Sequence, residues 1–222
     1  MKHQLNFIFF FPYLCLFVAF LFIFIFIING SPWLKLFIVS IILFIFWIMR
    51  GLSSQTFDKY NNIEKEQKIV SPANGKIIDI IKTPNNIHIK IYLNIFNNHG
   101  QYAPISSNVK SIKYTSGKNN LAHDLNMSNY NEQNEFIFES KNYGKIIIRQ
   151  YGGKIMRTLK SFVNEGDFVE MGQPIGFIAT GSRVDIIFPN IYGKVLKIKK
   201  GDTIHIGDII MDNAYDYYQS KS

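Results

Sequence analysis

Gly181-Ser182-Arg183 gathers a conformationally free residue, a hydroxyl nucleophile and a guanidinium in consecutive positions. Apolar, strand-like runs flank it at 174–179 and 184–189. A glycine ahead of a serine reaches backbone conformations closed to other residues. A peptide held there in strain sets the serine hydroxyl beside the preceding carbonyl. Taken alone, the pair reads first as a tight turn. A second polar concentration is 94–104, Asn-Ile-Phe-Asn-Asn-His-Gly-Gln-Tyr-Ala-Pro, a loop of the kind that carries sites on a rigid sheet. Within it His99 has the pKa range for moving protons near neutrality. His3, His123 and His205 have no metal-ligand spacing with carboxylates or one another, so no metal is expected. Cys15 is the single cysteine, so no intramolecular disulfide forms.

The elements that must position these residues are mainly strands. Ser71-Pro-Ala-Asn-Gly75 is a turn, with Asn-Gly a strong hairpin signal. Residues 76–81 follow as a strand, and 87–93 alternate with period 2, His88 on the polar, solvent-facing phase. Further strands are expected at 109–114, 136–138 and 145–150, with a short helix over 152–160. An internal echo closes the chain: 163–175 resembles 198–210, each a Gly-Asp turn between β-branched residues with a second glycine beyond it. That unit resembles the half-motif of lipoyl- and biotinyl-type barrel-sandwich domains, but the modifiable-lysine tripeptides of those carriers are absent. The fold class is therefore mostly β, a barrel-sandwich-hybrid-like domain with few short helices.

A different composition precedes the domain. Residues 5–28 are almost unbroken Phe, Leu, Ile and Val, and 33–49 are apolar with one charge at Lys35. About 20 apolar residues cross a bilayer core. The two runs, joined by Asn29-Gly-Ser-Pro32, read as a membrane hairpin, with Lys2, Arg50 and Lys59 placing both ends on the cytoplasmic side. The first run is too long for a signal-peptide core and lacks its cleavage site. The expected organisation is an anchor at 1–50, a linker at 51–68, the domain at 69–212 and a tail at 213–222. Without Lys2, Lys35 and Arg50, the 24 basic residues fall to 21 against 16 acids, a net +5 on the soluble part. Such a charge suits an anionic lipid surface. The positive residues are scattered among strands with no aromatic-basic module, which argues against nucleic acid.

Four stretches stand in order: Ser71-Pro-Ala-Asn-Gly-Lys-Ile77, Phe96-Asn-Asn-His-Gly-Gln-Tyr-Ala-Pro104, Asn131-Glu-Gln-Asn134 and Gly181-Ser-Arg-Val-Asp-Ile-Ile-Phe-Pro189. Together they resemble the short, membrane-anchored phosphatidylserine decarboxylases of bacteria, close to the archaetidylserine decarboxylase type. The resemblance covers roughly 50–210, and four weak motifs in order make a specific signal.

That resemblance implies a proenzyme cut between Gly181 and Ser182, giving chains 1–181 and 182–222. Ser182 would become a pyruvoyl group that forms a Schiff base with phosphatidylserine and yields phosphatidylethanolamine at the cytoplasmic face of the inner membrane. The partners implied are the phospholipid, the membrane, the two cleaved chains and a homodimer. His99 matches the family histidine of the decarboxylation step. Asn74 stands where the family has the aspartate that helps self-cleavage, and Tyr102 where relatives have arginine or a second histidine. Arg183 is a candidate for the substrate phosphate or carboxylate, or a surface arginine. Three readings follow from Asn74: cleavage by backbone strain and other groups, deamidation of Asn74-Gly75, or an uncleaved, degenerate homologue. The main alternative outside the family is a membrane-anchored barrel-sandwich adaptor; a lysostaphin-like β-class zinc peptidase is disfavoured for want of a His-x-His pair.

Overall fold

The period-2 alternation of the sequence becomes a set of antiparallel sheets whose inner faces form one apolar core. The computed structural model describes residues 32–49, 68–118, 120–126, 128–153, 159–178 and 181–213. The chain divides into two compact units, Met1–Gly51 and Leu52–Ser222. The first contributes helix α1 (Pro32–Met49). Its 18 residues rise about 27 Å at 1.5 Å per residue, short of a hydrocarbon core of ~30 Å. Among the described residues no helix is long and apolar enough to cross a membrane. The second expected span, 33–49, is thus a helix but not a span by itself. The first, 5–28, lies outside the described residues, as do nearly all of the linker and of the tail.

The second unit is mostly β. Its strands are β1 (Ile69–Val70), β2 (Gly75–Lys82), β3 (Asn86–Leu93), β4 (Gly100–Tyr102), β5 (Ser107–Thr115), β6 (Gln133–Ser140) and β7 (Gly144–Tyr151). They continue as β8 (Leu159–Ser161), β9 (Phe168–Val169), β10 (Pro174–Ile178), β11 (Ser182–Pro189), β12 (Lys194–Leu196), β13 (Thr203–Ile204) and β14 (Ile209–Asn213). One sheet of eight runs β13-β2-β3-β11-β7-β6-β5-β9, and two sheets of three run β1-β14-β12 and β4-β10-β8. The helix expected over 152–160 is corrected at its end, where Leu159–Ser161 pairs with β10; residues 154–158 lie outside the described set.

Ile87, Ile89, Ile91 and Leu93 of β3 are buried, as are Phe136 and Phe138 of β6 and Ile146 and Ile148 of β7. Each fully buried side chain of this size stabilises the fold by about 1.5–3 kcal/mol. The central strand β11 is buried on both faces over Ser182–Ile186. Val184, Ile186 and Phe188 belong to the core, while the alternate residues Arg183 and Asp185 turn to the other face.

The internal echo is a structural repeat. Gly166 and Gly201 open the two Gly-Asp turns with φ of 87° and 98°, and Gly172 and Gly207 follow with 81° and 84°. Only glycine takes these values without steric cost. The hydrogen bonds repeat as well: Gly166 N–H donates to Val109 and Gly201 N–H to Ile77, while Gly172 N–H donates to Ala103 and Gly207 N–H to Ser71. Each half therefore clips one turn onto the strand entering the large sheet.

Candidate active site

Two chain connections carry the candidate residues, and the sheets force them together. β3 pairs with β11 in the large sheet, Ser182 opposite Leu93. β4 pairs with β10 in a small one, Gly100 opposite Phe177. The connection 94–99 leaves Leu93 and enters β4; the connection from Ile178 leads through Gly181 to Ser182 at the head of β11. Both cross between the same two strand pairs, and Ile178 N–H donates to the His99 carbonyl at 3.1 Å. His99 and Ser182 are thereby brought to one end of the sheets.

Asparagines shape the 94–99 connection, their side chains imitating backbone turns. Asn97 Oδ1 accepts from Asn94 N–H and Asn98 Oδ1 from Gly100 N–H, each at 2.8 Å. Buried amides hold it from below: Gln101 Nε2 donates to the His99 carbonyl at 2.7 Å, and Gln150 Nε2 donates to Gln101 Oε1 at 2.6 Å. Asn134, the last residue of the third motif, donates to Gln150 Oε1 at 3.4 Å. These glutamines gave no signal beyond their place in polar phases of apolar strands.

Among the described residues, the buried side-chain polar atoms that lack a hydrogen-bond partner are His99 Nε2 and Ser182 Oγ. Leaving such an atom unpaired costs about 1–3 kcal/mol, and a buried unpaired group in a native site calls for a functional explanation. Ser182 is fully buried and shares the core face with its partner Leu93, and among the described residues no hydrogen-bonding group meets its hydroxyl. Gly181, just before it, has φ of 74°, the left-handed region foreseen for this glycine. His99 is buried, which pulls its imidazole below the ordinary histidine value, against a backbone hydrogen bond to Asn97 that raises it. Nε2 is left as a ring nitrogen without a partner among the described residues. The arrangement offers a neutral base and a nucleophile, neither occupied elsewhere.

The other candidates are placed differently. Asn74 Oδ1 accepts the Ile206 N–H at 2.5 Å, tying the first turn to the second half of the repeat. Tyr102 is buried, its phenol raised above the ordinary value by burial and lowered by a hydrogen bond from Asn98; it stays protonated near neutrality. Its N–H donates to Pro72, so the Tyr102 strand abuts the first motif. Asn131 clamps two segments, accepting from Asn120 N–H and donating to the carbonyls of Asn120 and Gly152.

Arg183 is neither a surface arginine nor free for a phosphate. It is fully buried. Nε donates to Asp185 Oδ1 at 2.8 Å and Nη2 to Asp185 Oδ2 at 3.3 Å. Nη2 also donates to Asn129 Oδ1 at 2.9 Å and Nη1 to Ser128 Oγ, and the guanidinium lies 4.0 Å over the Tyr151 ring. His88, expected to face solvent, is half-buried and pairs through Nε2 with Asp185 Oδ2 at 2.8 Å. Sequence reasoning missed Asp185; the signal was an acid inside an apolar strand, two residues from an arginine on the same face.

Residues 56–212 match the family model for phosphatidylserine decarboxylase. The chain is similar to the phosphatidylserine decarboxylase proenzyme of Desulfotalea psychrophila, 33% identical over 64% of this chain and 69% of the relative. It is similar to that of Magnetococcus marinus, 29% identical over 81% and 90% of the two chains. For that of Carboxydothermus hydrogenoformans the identity is 30%, over 79% and 82%.

Proposed function

The chain belongs to the phosphatidylserine decarboxylase family, and from that premise we propose that it is a proenzyme activated by its own cleavage between Gly181 and Ser182. It is a carboxy-lyase of phospholipid biosynthesis that converts phosphatidylserine to phosphatidylethanolamine. The observation that carries the cleavage reading is the pair of buried, unpartnered atoms Ser182 Oγ and His99 Nε2. The domain is of the barrel-sandwich type, a reading supported by the two clipped turns.

In the first step Ser182 Oγ attacks the Gly181 carbonyl carbon while a base takes the hydroxyl proton. The C–N bond breaks, the nitrogen leaves as the amine of residue 182, and an ester joins Gly181 to Oγ. Removal of the residue-182 Cα proton then expels the Gly181 carboxylate and leaves a dehydroalanine. Water adds to its imine tautomer, ammonia departs, and a ketone caps residues 182–222. That pyruvoyl group supplies a carbonyl that takes up the electron pair freed when the substrate loses CO2. An unpaired hydroxyl at residue 182 fits this conversion, because no hydrogen bond among the described residues is lost when its oxygen departs. His99, with an available Nε2, moves the proton to and from the reacting carbon.

Two further parts belong to the proposal. The protein works at the cytoplasmic face of the inner membrane, supported by the apolar run 5–28 and the net +5 of the soluble part. Chains 1–181 and 182–222 stay together, since β11 pairs with β3 and β7, β13 with β2 and β14 with β1. The test is a mass spectrum of the purified protein, in which a fragment beginning with a pyruvoyl group at position 182 is expected. Ser182→Ala is expected to remain full length and to release no CO2 from phosphatidylserine vesicles; turnover by that variant would overturn the proposal.

A further inference from the structure

Cleavage between Gly181 and Ser182 cuts the chain at the first residue of a central strand. Before the cut, residue 182 is fixed by the chain on both sides. Afterwards it is a chain end, and chain ends fray unless tied down. Register makes the problem sharper: Ser182 pairs only with Leu93 of β3, whereas pairing with β7 begins one residue later, Arg183 opposite Tyr151. The reactive group must nevertheless stay within about 0.5 Å of its productive position for catalysis.

Arg183 has what this requires. Its side chain spends every contact on anchoring: Asp185 within its own strand, Ser128 and Asn129 on the 3-10 turn Ser128–Tyr130, and the face of Tyr151 on β7. Ser128, Asn129 and Tyr151 lie in the part that becomes chain 1–181; Arg183 and Asp185 lie in chain 182–222. His88, also in the larger part, holds the outer oxygen of Asp185. A buried, fully paired guanidinium one residue beyond the new chain end is more than strand formation needs, since β11 already has a neighbour on each side.

We propose that Arg183 is a positioning residue that clamps the new chain end to the larger fragment, so that the group formed from Ser182 stays in the site after the peptide is cut. The inference rests on cleavage at Gly181–Ser182. It separates Arg183 from cleavage itself: the uncut chain holds residue 182 by covalent continuity, and the clamp matters only once continuity is lost.

The test compares Arg183→Lys, which keeps a positive charge beside Asp185, with the paired change Ser128→Ala and Asn129→Ala, which leaves the Arg183–Asp185 pair intact and removes the contacts to the larger fragment. Each is made in the wild-type chain and in the uncleavable Ser182→Ala chain. Expected are self-cleavage within about threefold of wild type and kcat for phosphatidylserine lower by about 10–100-fold, with KM little changed. Amide exchange over residues 183–187 should accelerate about tenfold or more in the cleaved variants, and not in their uncleavable counterparts. Equal acceleration in cut and uncut forms would make Arg183 an ordinary structural residue and overturn the proposal, as would an unchanged kcat. A wild-type chain that never yields a fragment beginning at 182 refutes the premise instead, and is told apart because no variant is then cleaved either.

Discussion

Ser182 and Arg183 are neighbours on one strand, both fully buried, and they are opposites in every other respect. The serine hydroxyl lies on the core face with no partner among the described residues. The guanidinium lies on the other face with a carboxylate, a hydroxyl, an amide and an aromatic ring around it. Polar groups that hold a fold together are paired, because an unpaired one costs more than it returns. Polar groups that react must be left available. The alternation of a β-strand lets consecutive residues serve the two ends, since each face answers to a different environment. His99 extends the contrast within one side chain: one ring nitrogen is spent on the Asn97 backbone and the other is left open.

Removing an available group should abolish chemistry and spare the fold. His99→Ala is expected to lower decarboxylation by about 10²–10⁴-fold, with thermal unfolding near wild type, measured as CO2 release and by calorimetry. The ionisation of His99 gives a second check. Its value in the fold is below the ordinary histidine one, chiefly through burial, so the neutral ring persists to lower pH than a free imidazole. The acid limb of the rate profile should then fall below ~6.5. Because the unfolded state binds this proton more readily, the stability His99 contributes above that value is lost as pH falls through the folded one. A limb above ~6.5, or one unchanged in His99→Gln, would point to another group.

Removing a paired group should instead cost stability directly. Asp185→Asn leaves the Arg183 charge buried without its counter-ion, which costs about 3–5 kcal/mol, read as a lower denaturation midpoint in the Ser182→Ala background. A loss under about 1 kcal/mol, the range of an exposed ion pair, would mean that the pair is not isolated from water. Gly181→Ala tests the peptide between the two kinds of site. A φ of 74° costs an L-residue about 1–2 kcal/mol, so a modest fall in stability is expected together with slower cleavage. Unchanged cleavage would separate the left-handed backbone from the reaction.

Much of the strand pattern was legible because burial enforces it: 87–93 alternates in sequence and buries every second residue, and the paired Gly-Asp turns reappear as positive-φ glycines. The candidate serine and histidine drew notice from their motifs, and the fold leaves a polar atom of each buried and unpartnered among the described residues. What escaped was partnership across distance. His88 sits on a polar phase, and period alone cannot tell water from a carboxylate 97 positions away. Arg183 looked like a surface or ligand-binding residue because a sequence does not say that Ser128 and Asn129 cover that face of β11. The apolar run 33–49 forms a helix as its composition demands, yet membrane crossing is set by length as well as hydrophobicity.

Asn74 is where the comparison gives its smallest and most discriminating prediction. The family resemblance implies an aspartate at this place that helps self-cleavage, which invites the view that asparagine here disables the chain. The structure gives Asn74 a different occupation: its oxygen accepts the Ile206 N–H, beside the pairing of Gly75 with Ile204. It therefore belongs with Arg183, among the groups already spent, and not with Ser182. A carboxylate would accept the same N–H and form a charge-assisted bond there, so Asn74→Asp should change stability by no more than about 0.5 kcal/mol. Held at Ile206, it should speed self-cleavage by less than about tenfold, where a positioned base supplies about 10²–10⁴. The rate is the decay of the full-length band on denaturing gels, with peptide mapping of the wild type to exclude prior deamidation at Asn74. An acceleration of 10²-fold or more would move residue 74 to the reactive side, and would show that the wild-type chain relies on its unpartnered groups only because that base is missing.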